Sequence, residues 1–305
     1  MAKEVSSYCG SPYLAELYEL QWARPNMPDV ELYTKVLIDA VSKHREAASD
    51  RQFTFLEIGT GSGRVMLGIL KRLAAASFNT SNIEMIGLDY MQVMLDLAVK
   101  LESKESGLSP PVTWVLGDAL AMEKLPVLSP RAGKDVTVDL LLFPFSSIVH
   151  MVEDGQLEQL FLQIGKVLTP GTGRAYISLL NWFFIRPGDD LKARVETEVL
   201  PPPTDVQSEE FPGIRYYSET KKSEYMGKQV AYRADVQIFK REDDGQEKEI
   251  ESYRIKQTLR WFSEAAIMAA IEAAGLKLLE TTMVGLDMEG VDADYQENIF
   301  VLQRV

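Results

Sequence analysis

The stretch "FLEIGTGSGRVML", Phe55 to Leu67, limits the possible folds of this chain more than any other. An apolar run, "FTFLEI", leads into three glycines at every second position, Gly59, Gly61 and Gly63. Behind them Met66, Ile69, Leu70 and Leu73 recur at helical spacing. The pattern is strand, glycine turn, helix. Such a turn brings bare backbone N–H groups close to a ligand at the positive end of the helix.

The same grammar continues along the chain. "IEMIGLDY" predicts a second strand, with Met94, Leu97, Ala98 and Leu101 on the helix after it. "VTWVLGD" and "VDLLLFPF" predict a third and a fourth. Leu157, Leu160, Phe161, Ile164 and Leu168 form a helical stripe that "TPGTG" stops, and "RAYISLL" is a fifth strand. Nearly continuous apolar strands alternating with helices predict a mostly parallel sheet covered on both faces. Ahead of it, Ser11-Pro12 opens a short helix to about Trp22, and a second helix runs from Val30 to about Glu46. Residues 1–48 are thus expected as N-terminal lid helices.

After Leu180 the pattern changes. Residues 181–212 read as irregular and proline-rich, and "IRYYSETKKSEY", "QVAYRADVQIFKR" and "EIESYRIKQTLRW" then alternate as strands. The Asp-Gly in "EDDGQEKE" is a hairpin signal between the last two. Residues 181–261 therefore read as an inserted antiparallel meander, a substrate cover. The α/β grammar resumes with Ser263 as a helix cap, Gly275 as its stop, and two closing strands expected as an antiparallel edge. The core spans 49–180 and 262–305.

A net charge of −13 and a pI near 4.8 set the chain against nucleic acid and anionic membrane. No apolar stretch is long enough to span a bilayer, and "MAKEVSSYCGSPY" lacks the apolar core of a secretory signal. The single cysteine, Cys9, cannot form an internal disulfide, so a cytoplasmic setting is expected.

Glu57 says which ligand the glycines serve. A carboxylate at a strand end repels a pyrophosphate but welcomes an ammonium or a sulfonium. A dinucleotide turn wants G-x-G-x-x-G, whereas Arg64 stands three residues after Gly61. No phosphate-loop lysine follows either. The bland alternative is a tight turn alone, which leaves an acid at a buried strand end unexplained.

Glu57-x-Gly59-x-Gly61-x-Gly63 resembles the first motif of class I S-adenosylmethionine-dependent methyltransferases. Asp89 at the end of the second strand, Asp118 in "LGDAL", and Leu168, Pro170 and Gly171 before the fifth strand fall in the order of that family. The resemblance implies a Rossmann-like α/β sheet and S-adenosyl-L-methionine as cofactor, with no metal. It implies cofactor contacts from Glu57, Gly59, Thr60, Gly61 and Gly63 in the first loop, and from Asp89, Tyr90 and Met91 in the second. Asp118, Ala119 and Leu120 would serve the third, although Asp118 could be only a turn former or helix cap. The interval from Gly63 to Asp89 is longer than the family pattern, which places the extra residues at "ASFNTSN".

The insertion resembles that of glycine and amino-sugar N-methyltransferases, where extra strands cover the substrate or pair subunits, so a homodimer through the inserted sheet is one expectation. "FPFSSIVHM" resembles their segment after the fourth strand, making His150 the candidate base and Ser146 an acceptor contact. Tyr18 is a candidate catalytic residue, and Tyr13 and Trp22 candidate acceptor contacts, on the lid helix; core packing is the alternative for these tyrosines, as a structural role is for His150. Trp182, Phe183 and Phe184 after the fifth strand point to a small apolar, planar acceptor rather than a sugar, with packing in the core of the insertion as the alternative. "FPFS" replaces the "[DN]-P-P-[FY]" of enzymes acting on nucleic-acid or glutamine nitrogens, and no carboxylate cluster of the magnesium-dependent catechol type is evident. The whole chain also resembles fungal natural-product methyltransferases, including the glandicoline-type O-methyltransferases. Because a hydroxyl needs a base more than a neutral amine does, His150 tilts the expectation towards O-methylation of an alkaloid-like acceptor. The alternatives are N-methylation of an amine or amino sugar, cofactor-assisted chemistry without methyl transfer, and a nicotinamide oxidoreductase.

Overall fold

The computed structural model describes residues 2–5, 11–22, 28–47, 51–130, 136–285 and 296–305. Cys9, on which the redox expectation rests, lies outside the described residues. The chain opens with β1 (Lys3–Val5), α1 (Pro12–Trp22), α2 (Pro28–Glu46), β2 (Phe53–Ile58), α3 (Arg64–Ala75), β3 (Ile83–Asp89) and α4 (Gln92–Lys104). Then follow β4 (Val112–Leu116), β5 (Leu140–Phe143), α5 (Gln156–Val167), β6 (Arg174–Leu180), β7 (Phe184–Ile185) and α6 (Leu191–Glu196). The remainder is β8 (Thr204–Gln207), β9 (Ile214–Tyr225), β10 (Gln229–Arg241), β11 (Glu247–Arg260), β12 (Phe262–Ser263), α7 (Glu264–Ala273), β13 (Leu276–Gly285) and β14 (Gln296–Arg304). None of the described helices is long and apolar enough to cross a membrane.

Two compact units emerge: residues 25–184 with 262–305, and residues 1–24 with 185–261. The first is the α/β core. Its seven strands run in the order β13-β14-β6-β5-β2-β3-β4, with β2, β3, β4, β5 and β6 parallel and β14 antiparallel to β6. This is the mostly parallel Rossmann-like sheet with an antiparallel edge that the sequence predicts. All six residues of β2 are buried, as a central strand covered on both faces requires. One face of β2 packs on α3 through Val65, Met66, Ile69 and Leu70, and on α2 through Tyr33 and Leu37. From β2 the chain moves outward to β3 and β4 and then returns to β5 on the other side. The crevice at the carboxyl ends of β2 and β5 is the switch point where open α/β sheets bind ligands. Ser263 caps α7 by accepting the Ala266 N–H at 3.2 Å, and Gly275 ends it at φ +67, both as read from sequence.

The second unit is a five-stranded sheet, β1-β11-β10-β9-β8, on which α1 lies. Leu14 and Leu17 of α1 pack against Tyr216, Val236, Ile238, Tyr253 and Ile255. Glu16 anchors the helix: its carboxylate accepts the N–H groups of Glu209 and Glu210, both at 2.8 Å, and the hydroxyls of Ser208 and Tyr216. The expected helical region 1–48 therefore divides, α1 joining the inserted sheet and α2 the core. The run 181–212, read as irregular, contains α6, capped by Asp190 on the Ala193 N–H, and the edge strand β8. Both are short, and six- and four-residue elements among prolines leave little periodicity to read.

Candidate active site

Every cofactor-binding candidate lies at the carboxyl edge of the core sheet. Gly59, Gly61 and Gly63 have φ of +63, +57 and +80, a backbone that side chains resist. At Gly63 space is short as well, since a Cβ would stand 2.6 Å from the Trp114 ring. The loop is locked from below by the Thr60 N–H, which donates to the Leu88 carbonyl at 3.0 Å.

Glu57 sits between Gly87 of β3 and Leu142 of β5 in the register, and only 1% of its surface is exposed. Its Oε2 has no hydrogen-bond partner. Burial pushes its carboxyl up to about 8, against the opposing charge of Arg64. A buried carboxylate with one unpartnered oxygen beside a bare glycine loop fits an α-ammonium group.

Asp89 ends β3 with both oxygens oriented: Oδ2 accepts the Gly61 N–H at 2.8 Å and Oδ1 the Met91 N–H at 2.9 Å. Burial raises its carboxyl above the ordinary range, opposed by these backbone N–H groups. Each oxygen keeps a further lone pair, enough for two vicinal hydroxyls. Asp118 caps the short, kinked helical segment Ala119–Lys124, taking the Leu120 N–H on Oδ1 at 2.8 Å, so the capping alternative is realised while the side chain stays exposed. Between these acids, Tyr90 and Leu116 are 66% and 53% exposed at the ends of β3 and β4, a bare apolar surface suited to a planar ring.

On the acceptor side, Ser146 is buried and its hydroxyl accepts the Leu180 N–H, which ties the loop to the end of β6. His150 ends a short helical turn, Ser147–His150, with exposed surface. Even so, burial lowers its imidazole to about 4, so dense protein surrounds a ring that solvent still reaches. The ring is neutral at neutral pH and a weak base. Phe183 is 6% exposed and belongs to the core, whereas Trp182 is half-buried. Tyr13, Tyr18 and Trp22 lie on α1 in the other unit, where Tyr13 packs edge-on to Phe211 at 4.8 Å.

The structure adds residues that sequence reasoning passed over. Arg64, met only as a departure from the dinucleotide pattern, pairs with the wholly buried Asp29 through contacts of 3.0 and 2.6 Å. Glu297, at the start of β14, is fully buried and bonded to Ser178 of β6. Tyr33 is buried near both, with its hydroxyl unpartnered and its acidity weakened by burial and by Glu297 and Asp29.

Residues 55–171, which hold the glycine cradle, Glu57 and Asp89, match the methyltransferase domain family. The chain is an enzyme, an S-adenosylmethionine-dependent methyltransferase. Among particular relatives it is 27% identical over 277 residues to the N-methyltransferase FrzE of Cladobotryum sp., covering 90% of this chain and 92% of that one. Its fold matches an S-adenosylmethionine-dependent methyltransferase of Clostridium acetobutylicum with a TM-score of 0.57 at 14% identity, covering 95% of this chain and 97% of that one. DesVI of Streptomyces venezuelae matches equally, with a TM-score of 0.57 at 18% identity and coverage of 95% and 98%.

Proposed function

We propose that the protein methylates the nitrogen of a small, apolar amine. The observation that carries this reading is the relation to an N-methyltransferase across nine-tenths of the chain. The state of His150 supports it. A hydroxyl acceptor calls for a base near pH 7, and burial lowers the His150 imidazole below that range. A neutral amine attacks with its own lone pair and sheds its proton afterwards. The sequence-based preference for a hydroxyl rested on His150 as the base; the relation to an N-methyltransferase favours nitrogen instead.

S-adenosylmethionine, when bound, supplies an electrophilic methyl group on a sulfonium. The chain's own residues orient and shield. Glu57 would hold the ammonium end, Asp89 the ribose hydroxyls, and Asp118, with the apolar ends of β3 and β4, the adenine. His150, as a neutral ring, would hydrogen-bond the acceptor nitrogen, and Trp182 would offer an apolar wall. The protein's part is to align two reactants and exclude water. Tyr18, Tyr13 and Trp22 remain candidate contacts to the acceptor, and pairing through the inserted sheet a candidate assembly.

The test uses labelled S-adenosylmethionine with matched probes, phenethylamine and 2-phenylethanol, and tryptamine and 5-hydroxyindole. The reading predicts label in the amines alone. Label in the hydroxyl probes and none in the amines contradicts it.

A further inference from the structure

The turn after β5 holds two consecutive non-glycine residues in the left-handed region, Phe145 and Ser146, both at φ +53. Such a backbone is strained and persists only where its surroundings dictate it. Here the dictating groups are visible. The Ser146 N–H donates to Ser178 Oγ at 2.9 Å, and Ser146 Oγ accepts the Leu180 N–H. The single proton of Ser178 goes to Glu297 Oε1 at 2.7 Å. Ser178 and Glu297 have no exposed surface, and Ser146 has 3%.

On the opposite side, the Arg64 guanidinium lies 5.2 Å from the Phe145 ring centre. Arg64 is the first residue of α3, directly after Gly63, and Asp29 holds it in place. The turn also abuts the cofactor loop, because a Cβ at Gly59 would meet the Ser147 side chain at 3.4 Å. The turn is thus clamped between the glycine-loop helix and the start of β14.

Glu297 is a costly group for this place, since its Oε2 has no partner and burial pushes its carboxyl up to about 7. An apolar residue would fill β14 more cheaply but could not anchor Ser178. We infer that Glu297, acting through Ser178, is a positioning residue that fixes the Phe145–Ser146 turn and so sets the Ser147–His150 segment against the cofactor loop. The inference rests on the proposed role of that segment in facing the acceptor.

The experiment compares Glu297→Ala, Glu297→Gln and Ser178→Ala in the full chain, with amide hydrogen exchange read peptide by peptide. In Glu297→Ala, exchange over 144–151 should rise by about tenfold or more while β2 and β3 stay as in the wild type. Affinity for S-adenosylhomocysteine should stay within about threefold, and KM for whichever acceptor turns over should rise more than kcat falls. Glu297→Gln should restore both readouts, because its amide oxygen still accepts the Ser178 hydroxyl. Ser178→Ala should resemble Glu297→Ala, and it carries the comparison if Glu297→Ala does not fold. Unchanged exchange over 144–151, a uniform rise across β2 and β3, or a glutamine variant no better than alanine overturns the inference. Failure of the amine reading appears separately, as wild-type enzyme that labels no amine probe, and leaves the exchange result intact.

Discussion

Glu57 and Glu297 are acids that the fold keeps partly protonated at neutral pH, their carboxyls raised by burial to about 8 and about 7 from an ordinary 4.5. Asp29, Arg64 and Tyr33 are the other ionisable groups coupled to them. Between the ordinary value and the raised one, the native protein binds more protons than the unfolded chain, so stability falls as pH rises through that window. His150, lowered to about 4, acts in the opposite direction below its ordinary 6.5. The difference between wild type and Glu57→Gln isolates Glu57. Without cofactor, the melting temperature of the wild type should drop by roughly 3 °C relative to the variant between pH 5 and pH 8, a loss on the order of 2 kcal/mol at this size. Differential scanning calorimetry at four pH values measures it, and parallel curves for the two proteins would contradict the placement of Glu57. For His150, the weak basicity leads to a modest effect. His150→Ala should lower kcat/KM by about tenfold, the worth of one hydrogen bond, with no inflection near 6.5 in the wild-type profile. A loss of about 10² to 10⁴ with such an inflection would instead make His150 the general base.

At the scale of the element, the strand–glycine–helix unit depends on Gly63 for two separate reasons. Its φ of +80 disfavours any side chain, and the Trp114 ring occupies the space of a Cβ. That ring cannot move aside cheaply, because its Nε1–H donates to Glu102 Oε2 at 2.7 Å. Gly107 supplies the control, with φ +78 and nothing within 4 Å of its Cβ position. Gly107→Ala should cost about 1–2 kcal/mol, the left-handed penalty alone. Gly63→Ala should cost roughly 2–4 kcal/mol in urea unfolding, the penalty plus overpacking. It should also weaken cofactor binding, since it lifts α3 away from β4. Equal losses in the two variants would mean that the close approach of helix and strand is not what Gly63 provides.

Across the whole molecule, what the sequence makes legible is what lies close together along it. Glu57 and its three glycines fall within seven residues, and each β–α unit announces its own acid, so Asp89 and Asp118 can be placed by counting. The second layer cannot be read this way. Glu297 meets Ser178 from 119 positions away, and Arg64 meets Asp29 from 35, so only the closed sheet brings them together. The helix α1 has an apolar face that could cover either unit, and its partner is fixed by Glu16 binding a loop almost 200 positions later. His150 is visible as a residue type, but the lowering of its imidazole depends on surroundings that no local pattern reports. The central claim is that the glycine loop and Asp89 hold S-adenosylmethionine. Isothermal titration with S-adenosylhomocysteine and NAD, on wild type and Asp89→Ala, tests it most directly. One S-adenosylhomocysteine should bind per chain and NAD should not, and Asp89→Ala should lose about 2–3 kcal/mol, roughly 30- to 150-fold in affinity, with its fold intact. Binding of NAD in place of S-adenosylhomocysteine, or equal affinity in the two proteins, would contradict it.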